Sequence, residues 1–166
     1  MRYALLALLL VLRLRAVGVV VGPGDTDAWI RRLTASGTAL REGLDNTPTP
    51  AALASLTTVV VPRLALLWRL FPDLSITSGY RSEAVNQAVG GSKGSLHTQG
   101  RAVDVSIAPG RKATWEEAQI AFEALQAAGL PSRVAWYERK VHLHVDNAGV
   151  GIFVDRGDGK GWRRIA

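Results

Sequence analysis

The segment SGYRSEAVNQAVGGSKGSLHTQGRAVD, residues 78–104, contains an arginine at a turn, a glycine-rich loop, and then a histidine and an aspartate seven residues apart. A second polar cluster, VHLHVD, occupies residues 141–146. The chain has three histidines, His97, His142 and His144, and all three lie in these two segments. Histidine is the commonest metal ligand in proteins, so this concentration predicts a metal site where the two segments meet.

The second cluster has the alternation of a half-buried strand. Side chains on a strand point alternately to opposite faces, so His142, His144 and Asp146 are expected on one face. The apolar residues between them, and the valine that precedes them, are expected in the core. In the first segment, Asp104 is predicted on a strand and His97 on the loop before it. A His–Asp–His set with an open fourth position is typical of a catalytic zinc site.

The composition is that of one domain with an apolar core. The chain has 166 residues, of which 48% are hydrophobic. It has no cysteine, so a metal must be held by histidine, aspartate or glutamate. The formal net charge of +6 favours anionic partners, such as a cell-wall polymer or an anionic membrane surface. No run of basic residues interleaved with aromatic ones occurs, so no nucleic-acid partner is expected.

The first 24 residues form a segment of their own. An apolar run, residues 4–21, follows Arg2 and is interrupted by Arg13 and Arg15. The pattern indicates an export signal or a membrane anchor, and in the second case residues 4–21 would associate with the membrane. Each arginine near the bilayer centre costs about 2.5–3.5 kcal/mol, so the alternative is an ordinary buried N-terminus.

Sequence periodicity and turn signals predict a mixed set of helices and strands. Helices are predicted over residues 25–44, from residue 51 to about 71 with a bend at Pro62, over 82–89 and over 114–128. The last of these begins with a capping box, TWEE, and ends at a glycine. Strands are predicted at residues 74–77, 101–107, 133–137, 141–145 and 152–154.

Three motifs resemble those of the zinc D-Ala-D-Ala carboxypeptidase family, which also includes vancomycin-resistance dipeptidases, phage endolysins and murein endopeptidases. Residues 95–104, SLHTQGRAVD, fit the family's S-x-H-x-x-G-x-A-x-D pattern. Residues 76–82, ITSGYRS, resemble its S-G-Y-R-S segment, and residues 141–146 resemble its C-terminal H-x-H or V-H-V-D strand. The resemblance covers roughly residues 60–148.

The resemblance implies a zinc peptidase that hydrolyses a peptide bond in peptidoglycan, with zinc-bound water as the nucleophile. It implies one zinc ion per chain, held by His97, Asp104 and His144. Arg81 would bind a carboxylate of the stem peptide, and Ser95 is predicted beside it in the substrate site. The alternatives are a D,D-carboxypeptidase and a murein endopeptidase.

One position departs from the family pattern. Many members carry an acidic residue three positions before the last histidine ligand, as the general base, and Val141 stands there in this chain. His142, expected beside the metal as an oxyanion stabiliser, is one candidate for the base. Asp146, on the ligand face, and Glu138, at the hairpin turn, are the others. A non-catalytic, zinc-containing wall-binding module is the alternative.

The implied fold is α+β of the hedgehog/DD-peptidase type, with helices packed on a small central antiparallel sheet. The expected organisation is a signal or anchor segment at residues 1–24, a helix and linker at 25–50 and a peptidase domain at 51–166. The protein is expected in the periplasm or cell wall, or at the membrane. A phage-encoded protein would instead stay in the cytoplasm until lysis.

Overall fold

The computed structural model describes residues 26–157 and 161–165, and the predicted signal or anchor segment lies outside them. The fold is mixed α+β, with helices packed against one sheet. The α-helices are α1 (Thr26–Thr34), α2 (Gly37–Glu42), α3 (Pro50–Ser55), α4 (Val61–Leu70), α5 (Glu83–Ala88) and α6 (Trp115–Ala127). The strands are β1 (Ser75–Ser78), β2 (Ala102–Ser106), β3 (Arg133–Tyr137), β4 (Leu143–Asp146), β5 (Gly151–Asp155) and β6 (Arg163–Arg164).

The sheet is mixed, so the prediction of an antiparallel sheet is wrong for one pair of strands. The strand order is β1-β2-β4-β3-β5-β6, and β3 and β5 pair in parallel. The other neighbouring pairs are antiparallel. The cause is the path of the chain: β4 occupies one edge of β3, and the chain reverses again after β4. Therefore β5 runs in the direction of β3 and pairs with its other edge.

Strands β2 and β4 bring the two motif segments side by side. Asp104 of β2 is directly opposite His144 of β4. Ser78, at the end of β1, is opposite Asp104 on the other side. Cross-strand partners share a face of the sheet, so these polar side chains converge. Val103 and Val145, which are also opposite each other, point to the other face and are buried in the core.

The N-terminal helical region is broken where the sequence predicted one helix over residues 25–44. The carbonyl of Thr34 accepts a hydrogen bond of 2.8 Å from the side-chain amide of Asn46, so it does not continue the helical ladder. Ser36 then caps a new helix, α2, by accepting a bond from the backbone N–H of Ala39. Leu40, on α2, is 86% exposed.

The helical segment Pro50–Leu70 contains the predicted bend as a π-helical turn, Leu56–Val60, between α3 and α4. The N–H of Val61 bonds to the carbonyl of Leu56, five residues back, and Pro62 has no N–H to donate. By length and composition the segment could cross a membrane. However, 44% of its most apolar window is buried in the protein, and residues such as Leu64 belong to the core.

Helix α6 begins and ends as predicted. Thr114 accepts a bond from the N–H of Glu117, and the Glu117 carboxylate accepts one from the N–H of Thr114. Gly129 adopts the left-handed conformation, with φ of 71°. The capping box is therefore confirmed.

Candidate metal centre and substrate cleft

Three side chains from the two motif segments meet at the edge of a cleft. His97 lies on the turn before β2, Asp104 is in the middle of β2, and His144 is on β4. Each is buried, and one potential ligand atom from each lies within 4.8 Å of the other two. Among residues 26–157 and 161–165, this is the one group of three or more such side chains close enough to share a metal ion. We call these three residues the ligand cluster.

Asp104 lies between the two histidines. Its Oδ1 is 2.7 Å from Nδ1 of His144, and its Oδ2 is 3.3 Å from Nε2 of His97. Burial raises the pKa of Asp104, but the hydrogen bonds and charges of His144 and His97 outweigh burial and hold that pKa well below its usual range. Asp104 is therefore an ionised carboxylate, the form in which it binds a metal.

His97 is held from behind by the backbone. Its Nδ1 is 2.7 Å from the carbonyl oxygen of Gly79, and because a carbonyl can only accept, Nδ1 carries the hydrogen. Nε2, the other ring nitrogen, faces the ligand cluster, 3.3 Å from Oδ2 of Asp104. A Cβ at position 79 would lie 2.1 Å from the carbonyl oxygen of Leu33, so glycine is required for this approach.

His144 is held from behind by a carboxylate. Its Nε2 is 2.8 Å from Oδ2 of Asp146 and its Nδ1 is 2.7 Å from Oδ1 of Asp104, so each ring nitrogen faces a carboxylate. With a metal bound, Nδ1 would supply the lone pair and Nε2 would keep the hydrogen that Asp146 accepts. Burial lowers the pKa of His144, but hydrogen bonds to Asp104 and Asp146 outweigh burial and raise the pKa above its ordinary value. A carboxylate behind a ligand histidine fixes the ring orientation and increases its basicity.

Both carboxylate oxygens of Asp146 make hydrogen bonds within the protein. Its Oδ2 also accepts a bond of 2.9 Å from Nε of Arg133, and its Oδ1 accepts one of 2.8 Å from the N–H of Ala148. The side chain has no exposed surface. Asp146 therefore orients His144 from behind rather than facing the cleft, which argues against its predicted part as general base.

The donor set of the ligand cluster fits zinc. Two imidazole nitrogens and one ionised carboxylate oxygen converge, and each histidine has an outer hydrogen-bond partner. Zinc binds nitrogen and oxygen donors of this kind with four-coordinate geometry, and catalytic sites use three protein ligands.

The family model described as Peptidase M15 matches residues 30–146, a range that includes the ligand cluster and Arg81. The chain belongs to the peptidase M15 family. Membership confirms the resemblance to zinc D-Ala-D-Ala carboxypeptidases and indicates a zinc-dependent metallopeptidase. A search of curated proteins found no match for the chain.

In this peptidase M15 chain, the ligand cluster borders a cleft of about 730 Å³. Part of its lining, which we call the strand wall, consists of the ligand cluster with Arg133, Tyr137, His142 and Trp162. A second part, which we call the loop wall, consists of residues 35–38 and of the glycine-rich loop at residues 90–95, except Lys93.

Arg81 lies in the cleft beside the ligand cluster, as the sequence predicted for a substrate-binding residue. Its Nε donates to Oγ of Ser78 at 2.9 Å, and its Nη2 is 3.4 Å from Oδ2 of Asp104. The side chain is 18% exposed. Ser95 also lines the cleft, where its Oγ accepts a bond from the N–H of His97.

The two remaining predicted site residues, His142 and Glu138, lie in different environments. His142 lines the cleft, half-buried, with its ring centroid 5.0 Å from that of Tyr137. Burial lowers the pKa of His142, against the charge of Asp104, so its neutral form prevails near pH 7. Glu138 is exposed, is paired with Arg156 at 3.5 Å and is not among the cleft residues, so it does not fold back towards the ligand cluster.

Val141 is 47% exposed, so the prediction that it points into the core is wrong. β4 begins at Leu143, opposite Trp136, and the residues between β3 and β4 form a connection longer than a tight turn. Val141 and His142 therefore precede the strand, whereas Leu143 and Val145 are buried as predicted.

Sequence reasoning missed Arg133, Tyr137 and Trp162. Arg133 and Tyr137 are two residues on either side of Ala135, which is opposite His144. The period-2 pattern of β3 could have placed both on the ligand face. Burial raises the pKa of Tyr137, so its phenol stays protonated. No sequence pattern could have placed Trp162 in the site, because it lies after the motifs and reaches the cleft only through the pairing of β6 with β5.

Proposed function

We propose that this protein is a zinc peptidase that hydrolyses a peptide bond in peptidoglycan stem peptides, as a D,D-carboxypeptidase or a murein endopeptidase. The observation that supports the proposal is the single cleft that contains both the ligand cluster and the Arg81 guanidinium. A bound zinc ion would act as a Lewis acid and lower the pKa of a coordinated water towards 7.

The ligand cluster and Arg81 have separate tasks in this proposal. His97, Asp104 and His144 hold the zinc ion. Arg81 binds a carboxylate of the stem peptide, since a guanidinium can bind a carboxylate through two parallel hydrogen bonds. That contact sets which peptide bond lies over the ligand cluster.

His142 is the proposed general base or oxyanion stabiliser. It lines the cleft two residues before His144, while Glu138 is paired elsewhere and Asp146 is buried behind His144. A base must lie within hydrogen-bond reach of the proton it takes, and of these three residues His142 alone borders the cleft.

The proposal extends to the fold type and the setting. The mixed sheet with Asp104 opposite His144 supports a hedgehog/DD-peptidase fold. The net charge of +6 suits an anionic wall polymer. We place the protein in the periplasm or cell wall, or at the membrane through residues 4–21. If the chain is phage-encoded, it stays in the cytoplasm until lysis.

A non-catalytic wall-binding module of the same fold is the second candidate. The observation that favours it is that Asp104, a predicted zinc ligand, is the one acidic residue among the described residues that line the cleft. A module of this kind would bind zinc and the stem peptide without turnover.

The test is turnover of defined stem peptides by the full-length chain, with and without a chelator. A peptidase releases D-alanine or splits a cross-link, identified by mass spectrometry, and the chelator abolishes release. His142→Gln should lower kcat by about 10²–10⁴-fold, the usual contribution of a general base, while Glu138→Gln should stay near wild type. Binding without release would refute the peptidase and support the module.

A further inference from the structure

We propose that Trp162 is a positioning residue of the metal centre, acting on His144 through Arg133 and Asp146. The inference rests on the metal site of the proposed function. Trp162 lies beyond residues 30–146, the range matched by the peptidase M15 family model. It belongs to a C-terminal segment that nothing in the motifs assigns to the site.

Trp162 contacts two members of one chain of interactions. Its ring centroid is 4.8 Å from that of His144, with the planes tilted by 52°. Cζ of Arg133 lies 4.7 Å from the centroid of the same indole, within the range of a cation–π contact. One side chain therefore lies against the ligand histidine and against the cation that holds its carboxylate.

The Arg133 guanidinium has the central place in this chain. It binds Asp146 while 22% of its side chain remains exposed, and Asp146 is fully buried. A buried carboxylate needs its cation, and exposure to water weakens their attraction. Phe153, at 5.7 Å, is the other ring near Cζ of Arg133, so Trp162 is the closer of the two aromatic contacts.

The position of Trp162 is fixed by the sheet. The two residues that follow it, Arg163 and Arg164, form β6 and pair with Val154 and Phe153 of β5. The N–H of Ile165 also donates to the carbonyl of Ile152 at 2.8 Å. The indole is therefore presented by paired backbone, as a residue that orients others must be.

Removing the indole exposes one face of Arg133 and one side of the His144 ring. The Asp146 carboxylate then shares its cation with water, and the His144 ring gains freedom to turn. Loss of an outer partner of a metal ligand typically weakens metal binding by about 10–100-fold. Because Trp162 acts one contact further away, we expect a smaller loss of metal affinity, about 5–10-fold.

The experiment measures metal binding by the full-length chain and needs no substrate. Zinc affinity is measured by competition with a chromophoric chelator, and the visible spectrum of the cobalt-loaded protein reports ligand geometry. Trp162→Ala should bind zinc about 5–10-fold more weakly and shift the cobalt spectrum, and Trp162→Phe, which keeps a ring, should recover most of both. Ile165→Ala, in the same segment and 51% exposed, is the matched control and should resemble wild type.

Wild-type zinc affinity and cobalt spectrum in Trp162→Ala would overturn the proposal. If Trp162→Ala does not fold by circular dichroism, Trp162→Leu keeps apolar bulk but has no ring face for Arg133. The zinc affinity of Trp162→Leu should then fall by the same factor as expected for Trp162→Ala. A wild-type zinc affinity in Trp162→Leu would equally overturn the proposal. A protein that binds zinc but cleaves no stem peptide would refute the peptidase and leave this inference standing.

Discussion

The two walls of the cleft are built in different ways. On the strand wall, Asp104 and His144 are buried on adjacent strands and each makes hydrogen bonds to other side chains. On the loop wall, the residues of 35–38 and 90–95 that border the cleft are small and carry no charge, and Lys93 is not among them. Under the proposed function, this difference would be a division of tasks, in which paired strands hold reacting groups in fixed positions and loops shape the space for the substrate.

The loop wall is nevertheless tied to the fold. The amide of Asn86, on α5, donates to the carbonyl of Ser92 at 3.0 Å, and the N–H of Gly91 donates to the carbonyl of Asn86. These bonds hold the backbone of the loop, whereas the bonds of the strand wall hold side chains. Substitutions on the two walls should therefore differ in what they disturb.

Among substitutions that leave the ligand cluster and His142 intact, the largest loss of turnover is expected at Arg81, which lines the cleft beside the ligand cluster. Truncating one partner of a hydrogen-bonded charge pair costs about 2–5 kcal/mol, so Arg81→Ala should lower kcat/KM by at least about thirtyfold. Arg101→Ala is the matched control, because Arg101 bonds to Asn147 and is not a cleft residue. Steady-state kinetics on a stem peptide check this, and equal losses in both variants would contradict a binding role.

A smaller effect, on metal binding, is expected behind the strand wall. Asp146→Asn keeps the shape of the side chain but removes the charge that orients His144 and pairs with Arg133. Zinc affinity should fall by about 10–100-fold. Asp155→Asn, at the end of β5, is the control and should bind zinc as wild type does. An unchanged affinity in Asp146→Asn would show that the strand wall is not preorganised in this way.

Two glycine-to-alanine substitutions, at Gly79 next to the ligand cluster and at Gly149 away from it, should differ in their effect on the free energy of unfolding. Gly79→Ala places a Cβ 2.1 Å from the carbonyl of Leu33, a backbone atom that cannot move independently. Overpacking of this kind typically costs about 1–3 kcal/mol, and here it also displaces the carbonyl that holds His97. Gly149→Ala meets nothing within 4 Å and should be close to neutral. Urea denaturation of both variants, with zinc affinity for Gly79→Ala, makes the comparison.

The smallest effect is expected on the loop wall. Ser92 contributes its backbone carbonyl to Asn86, and Ser92→Ala leaves that bond in place. Surface substitutions of this type usually change stability by less than about 0.5 kcal/mol, and kcat should stay within about twofold of wild type. A large fall in kcat would show that the loop wall also takes part in the chemistry.

The sequence predicted the ligand cluster because its signals are local. The ten residues 95–104 and the alternation of β4 carry His97, Asp104 and His144 within two short segments. The capping box of α6 was predictable for the same reason, since it depends on residues three positions apart. Each of these signals lies within one short segment of the chain.

The features that sequence missed depend on distant contacts. The N-terminal helix breaks at Thr34 because Asn46, twelve residues later, takes its carbonyl. Asp146 follows the strand alternation that places it on the same face as His144, but its carboxylate is buried against Arg133, which comes from the neighbouring strand. Trp162 enters the site only because β6 pairs with β5. None of these partners can be identified from spacing along the chain.

The most direct test of the account is the zinc content of the purified full-length chain, measured by mass spectrometry for wild type and His144→Ala. The account predicts about one zinc per chain in wild type, removable by a chelator, and almost none in a folded His144→Ala protein, since three protein ligands are the usual minimum for such a site. A folded wild-type protein that takes up no zinc, or a His144→Ala variant that keeps it, would contradict the ligand cluster.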